Sequence, residues 1–206
     1  RLDASIGAPP DPLGPLGQNW QLPPLHPVVL QQTGFQAFIR LLRENMRLYG
    51  ILRIDHVMAL CRLWWVTGGE SAANGAYVRY PLDAMMAVLA LESHRHQCVV
   101  IGEDLGTVPD DMREALQRYQ VSTYSVLYFN RHGAGYTQPE HYPEHSITVT
   151  STHDVAPLAG FWRGQDLLDM AALGVFDGDL SLPEAQAALE RDKQDLFAAL
   201  KQAKCL

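Results

Sequence analysis

The chain has 206 residues and a formal net charge of −7, with 47% hydrophobic and 19% charged residues. That composition excludes a disordered or fibrous chain, and its acidic balance argues against nucleic acid or an anionic membrane as a partner. The three cysteines, Cys61, Cys98 and Cys205, form no C-x-x-C pair; they fit neither a disulfide scaffold nor a zinc site and point to a reducing compartment, the cytoplasm. Arg1-Leu2-Asp3-Ala4 does not open a signal peptide, and no apolar run approaches the roughly 20 residues of a membrane span.

Residues 1–32 are rich in Pro and Gly and read as one long loop around Trp20. From Thr33, a plausible N-cap, Phe35, Phe38, Ile39, Leu42, Met46 and Tyr49 recur at helical spacing, and Gly50 closes the segment. Ile51-Leu52-Arg53-Ile54 is a short buried strand. A second helix runs from Pro81 to about His96, with Leu82, Met85 and Leu89 on one side. Cys98 to Ile101 is the next strand, and Pro109 to Tyr119 a third helix with Asp110 and Asp111 in its first turn. Ser125–Phe129 and Ile147–Thr150 are the third and fourth strands. An amphipathic helix follows from Pro183 to about Lys204.

Strands alternating with helices predict a parallel sheet, and continuous apolar strands predict one buried on both faces. The fold class is α/β, a partial TIM (β/α) barrel: a whole barrel takes about eight strands, and four are found. Residues 1–163 are assigned to the barrel fragment and 164–206 to a helical segment continuing the same domain.

Three strings end or directly follow apolar runs and carry carboxylates: Arg53-Ile54-Asp55-His56, Gly102-Glu103-Asp104-Leu105-Gly106 and Thr152-His153-Asp154. An Asp after a strand is ordinarily a turn residue or helix cap, so the neighbours decide. Arg53 lies two residues before Asp55, on the same strand face, and favours an ionised carboxylate. Glu103 follows an apolar strand with no adjoining cation, and Asp104 adds a like charge, the surroundings of a carboxyl that keeps its proton. His153 sets a donor beside Asp154. One ionised and one protonated carboxyl are the equipment of glycosidic bond cleavage, and Trp20, Trp64, Trp65 and Trp162 are candidate sugar platforms. His94-Arg95-His96 and His141-Tyr142-Pro143-Glu144-His145 are read as a helix end and a Pro-interrupted segment; neither is taken as a metal site.

The chain resembles the bacterial amylomaltases, the 4-α-glucanotransferases of glycoside hydrolase family seventy-seven. The resemblance rests on Gly7-Ala8-Pro9-Pro10-Asp11, Gly17-Gln18-Asn19-Trp20, Leu52-Arg53-Ile54-Asp55-His56, Leu63-Trp64-Trp65, Gly75-Ala76-Tyr77-Val78, the run Val100 to Pro109, and Thr152-His153-Asp154. It implies strands four to seven of the barrel. It implies Asp55 as nucleophile, Glu103 as acid/base and Asp154 as the third acid, holding sugar hydroxyls and favouring the distorted ring. Arg53 would orient Asp55, His56 and His153 would bind sugar, and Asp11 and Trp20 would line the donor groove. The implied reaction transfers an α-1,4-glucan segment from a donor maltodextrin to a maltodextrin or glucose acceptor by double displacement, without cofactor. Gln21 stands where the family usually has Gly; a left-handed backbone there would strain it. Two alternatives stay open: an amylase-like retaining hydrolase, and an inactive glucan-binding fragment that self-associates through exposed barrel edges.

Overall fold

The computed structural model describes residues 3–11, 14, 16–133, 135–174 and 181–205, and the chain divides into two compact units, Arg1–Thr123 and Tyr124–Leu206. The first holds strands β1 (Ala4–Ala8), β2 (Gln18–Leu22), β3 (Ile51–Ile54), β4 (Arg62–Thr67), β5 (Ala76–Arg79) and β6 (Val99–Gly102). Its helices are α1 (Pro27–Gln32), α2 (Gln36–Met46), α3 (Leu82–His96) and α4 (Asp110–Arg118).

The parallel pair is β3 with β6, in register from Ile51 opposite Val99 to Ile54 opposite Gly102. Beyond β6, Ser122 donates to the Val100 carbonyl (3.0 Å) and accepts from the Gly102 amide (2.8 Å). Successive side chains alternate between the faces of a strand. Leu52, Ile54 and Val100 pack into a core with Phe38, Leu42 and Met46 of α2, Met85, Met86 and Leu89 of α3, and Met112 and Leu116 of α4. Each such side chain taken fully out of water contributes about 1.5–3 kcal/mol. On the other face, Ile51 and Val99 are 58% and 54% exposed.

A second sheet is antiparallel, in the order β2-β1-β4-β5. It sets Gly7 opposite Trp64 and Trp64 opposite Tyr77. This sheet departs from the expectation of a loop over 1–32 and of four strands in all. β2 hid because Gln18-Asn19-Trp20-Gln21-Leu22 is mostly polar and mostly exposed, so no period of two shows in its hydrophobicity. Thr33 closes α1, its amide and hydroxyl both bonding the Val29 carbonyl; α2 starts after Phe35, a left-handed residue with φ 60°. Gly50 lies beyond the end of α2 at Met46.

The second unit contains β7 (Thr123–Val126), β8 (Arg131–His132), β9 (Gly135–Tyr136) and β10 (Ser146–Val149), with α5 (Leu158–Arg163), α6 (Gln165–Leu173) and α7 (Leu182–Gln202). β7 pairs with β10, and β8 with β9. β7 ends three residues before the expected Phe129, because Leu127–Phe129 wind into a single 3-10 turn. α7 begins with a capping box: the Ser181 amide donates to Glu184 Oε2 at 2.8 Å. Leu196 and Ala199 of α7 bury Tyr136, and Arg131 holds Asp192 and, at 3.1 Å, Asp195. Among the described residues, no helix is long and apolar enough to cross a membrane.

Candidate functional site

The parallel register carries past the strand ends. Asp55 directly follows Ile54 and Glu103 directly follows Gly102, so the two carboxylates occupy matching positions on neighbouring strands. Arg53, one pleat before Asp55, places Nη1 2.6 Å from Asp55 Oδ1. The guanidinium is largely shielded while the Asp55 side chain is 62% exposed, so this carboxylate is both charge-paired and open to a ligand.

Glu103 is buried, 8% exposed. Its amide donates to the Ile54 carbonyl at 2.9 Å, as a regular parallel ladder requires, but its carbonyl accepts from Val57 at 2.9 Å. In an unbroken ladder that donor would be His56. Asp55 and His56 therefore both oppose Glu103, a bulge of one residue. The extra residue, His56, is left-handed, φ 48° and ψ 60°. Its freed amide donates to Glu103 Oε2 at 2.7 Å, and the Leu105 amide donates to Oε1 at 2.7 Å. The sequence leads one to expect an apolar pocket around Glu103; burial is present, but both carboxyl oxygens are held by backbone donors. A left-handed non-glycine costs about 1–2 kcal/mol. Val57 beside it is fully buried, 0% exposed, and burial of that size, about 1.5–3 kcal/mol, offsets the cost.

The His56 ring is pushed below its ordinary pKa, first by burial and further by Arg62; Glu103 and Asp55 pull the other way and lose. A neutral imidazole offers one donor and one acceptor, a match for sugar hydroxyls. Trp20 meets this ring edge to face, with centroids 5.3 Å apart, and its Nε1 donates to Gln18 Oε1 at 3.0 Å. The loop is pinned by Asn19 Oδ1, which accepts from the Gln21 amide (2.9 Å) and the Ser5 hydroxyl (2.7 Å). Gln21 takes φ 58°, so the backbone here is left-handed and Gln21 carries its cost. Asp11 is exposed at a turn, where Oδ1 accepts from the Gly14 amide at 2.6 Å.

In the second unit, Thr152 Oγ1 accepts from the Asp154 amide at 3.1 Å. His153 Nε2 lies 3.3 Å from Asp154 Oδ2, both side chains well exposed. Of the other tryptophans, Trp64 donates to the Ala72 carbonyl at 2.9 Å and meets Tyr77 edge to face, Trp65 packs against the first unit's core, and Trp162 is 42% exposed. Among the described residues no group of three or more His, Cys, Asp or Glu could hold a metal ion.

The first unit thus brings Arg53, Asp55, His56, Glu103 and Trp20 together. Sequence reasoning passed over the amides of His56 and Leu105 and the seating of Val57, since none of these is written in a residue's chemistry. The one available signal was Gly102, a glycine directly ahead of Glu103 in an otherwise bulky strand.

A family model described as 4-alpha-glucanotransferase, glycoside hydrolase family 77, matches residues 1–204. The chain is 49% identical to a 4-alpha-glucanotransferase of Haemophilus influenzae over 97% of its own length and 28% of that protein. It is 37% identical to that of Mycobacterium tuberculosis over 91% of its length and 26% of that protein. The chain therefore spans about a quarter of these curated relatives. Its fold superposes on a crystal structure of amylomaltase from Corynebacterium glutamicum with a TM-score of 0.92, at 35% identity, covering 99% of this chain and 29% of that one. An amylomaltase from Streptococcus agalactiae in complex with acarbose shares the fold at a TM-score of 0.69 and 20% identity, over 87% of this chain and 37% of that one.

Proposed function

The chain belongs to the 4-alpha-glucanotransferase family, and we propose that it supplies the catalytic strands of such an enzyme. In this reading β3, β6, β7 and β10 are strands four to seven of a β/α barrel, and 164–206 continues the same domain. Support comes from the parallel pairing of β3 with β6 and from a family match over residues 1–204.

The observation that carries the mechanism is the matched placement of Asp55 and Glu103. Neighbouring strands lie about 4.8 Å apart, so side chains at matching positions are within reach of the carboxyl spacing of about 5–5.5 Å that retaining enzymes use. Asp55, ionised beside Arg53, attacks the anomeric carbon while Glu103 protonates the departing glycosidic oxygen. A covalent glucosyl–Asp55 ester forms. Glu103, now a base, deprotonates the 4-hydroxyl of the acceptor, which displaces Asp55 with net retention. Neutral His56 and the His153–Asp154 pair bind sugar hydroxyls, Asp154 also favouring the distorted ring. Asp11 and Trp20 line the donor groove. The donor is an α-1,4-glucan and the acceptor a maltodextrin or glucose, in the cytoplasm; two carboxyls suffice for the chemistry, so no cofactor is invoked.

Incubating the whole protein that carries this chain with maltotriose tests the reading. Glucose together with longer maltodextrins is expected; shorter sugars alone would make it an amylase-like hydrolase. A second reading concerns the 206 residues by themselves. The exposed Ile51 and Val99 on the face opposite the helices favour an inactive piece that self-associates to cover that face. Sedimentation and the same assay on the isolated chain test this, and an active, monodisperse monomer would overturn it.

A further inference from the structure

We propose that Gly102 and Val57 are positioning residues for Glu103, a reading that rests on Glu103 as the acid/base. A Cβ built on Gly102 would lie 2.9 Å from Val57 Cγ2 and 3.1 Å from both Cγ1 and Cβ. The Cβ contact means that no rotamer of Val57 relieves the crowding. The space left by the missing side chain is therefore what admits Val57 over the end of β6, on the helix-covered face.

That seating sets the rest of the arrangement. With Val57 drawn in, its amide takes the Glu103 carbonyl at 2.9 Å. One residue must then be absorbed between Asp55 and Val57, and His56 absorbs it by turning left-handed. The turn takes the His56 amide out of the ladder and onto Glu103 Oε2, while Leu105 holds Oε1. Each oxygen keeps a lone pair for a proton, so the carboxyl plane is fixed without being blocked. Were Gly102 only a packing convenience, the ladder would run on regularly through His56. The same turn presents the His56 ring to Trp20, so one absent side chain sets both the acid and the neighbouring sugar-binding ring.

The test uses the whole protein that carries this chain, with selectively 15N-labelled histidine to read the His56 amide. Glu103→Gln identifies the signal by moving it upfield, because an amide donating to a carboxylate resonates downfield. Gly102→Ala is expected to move the signal the same way and to lower kcat about 10²-fold, the loss typical of a catalytic group misplaced by about 1 Å, with KM little changed. Gly102→Ala combined with Val57→Gly, which removes the Cβ as well, reopens the space, returning the amide signal and recovering most of kcat. A folded Gly102→Ala variant with unmoved signal and unchanged kcat, or a double variant as impaired as the single, would overturn the proposal. If Gly102→Ala alone does not fold, the double variant's signal decides between the same two outcomes. If the amide responds as expected in a protein without transferase turnover, the acid/base reading fails and the positioning stands.

Discussion

Arg43 of α2 grips Glu92 of α3 with two bonds, Nε to Oε2 at 2.8 Å and Nη2 to Oε1 at 2.9 Å. Glu92 is 1% exposed, and Arg95 adds a third contact at 3.0 Å from the same helix. A buried carboxylate is tolerable only with such partners. The Arg43 bond above all, outweighing burial, holds the Glu92 carboxyl below its usual range. Glu92→Gln is expected to lose about 1–3 kcal/mol, the lower half being apt because both arginines are half exposed to water. The sign with pH follows: a depressed folded pKa gives stability present above the ordinary carboxylate value and lost as pH falls through the folded one. Urea titrations of wild type and Glu92→Gln should differ at pH 7 and converge in acid.

His56 gives the opposite chemistry the same direction. Its folded pKa is lowered, so between that value and the ordinary 6.5 the unfolded chain binds more protons. Stability therefore rises with pH across the window and is lost as pH falls below about 6.5. His56→Gln, which cannot charge, is expected to flatten this limb in thermal melts from pH 5 to 7.

Asp55 and Arg53 separate by readout. Asp55→Asn removes the proposed nucleophile and should cost at least about 10³-fold in kcat. Arg53→Lys keeps the charge but loses the planar fork, and about a tenfold loss is expected, within the range of a positioned charged hydrogen bond. Steady-state maltotriose kinetics on the whole protein measure both.

Gln21 is a site for gain. Replacing it with Gly removes the left-handed penalty at φ 58°, and the added freedom of the unfolded chain takes part of that back. A net stabilisation of about 0.5 kcal/mol is expected, a rise in Tm of one or two degrees for a chain of this size; calorimetry checks it.

The elements that could be read from the residues are those with local punctuation. Pro81 and Pro109 set the starts of α3 and α4, and the spacing of Phe38, Leu42 and Met46 set the buried face of α2. β1, β2, β4 and β5 were not legible, because the central pairing of their sheet, β1 with β4, sets Gly7 opposite the distant Trp64 and their hydrophobicity follows no clear period. Within the site, Arg53 and Asp55 could be joined from spacing alone, two residues on one strand face. The link from His56 to Glu103 could not: it depends on a backbone torsion and on a register that spans a whole β-α-β crossover.

That crossover has a consequence for biogenesis. Because β3 and β6 run parallel, the chain must pass through β4, β5 and α3 before the second strand can lie beside the first. Synthesis proceeds from the N-terminus, and long-range parallel pairing is slow to form. Asp55 and Arg53 leave the ribosome as a ready local pair, while Glu103 arrives later and acquires its His56 partner only when the sheet closes. A nascent chain halted before β6 thus displays Asp55 and Arg53 with no Glu103 beside them.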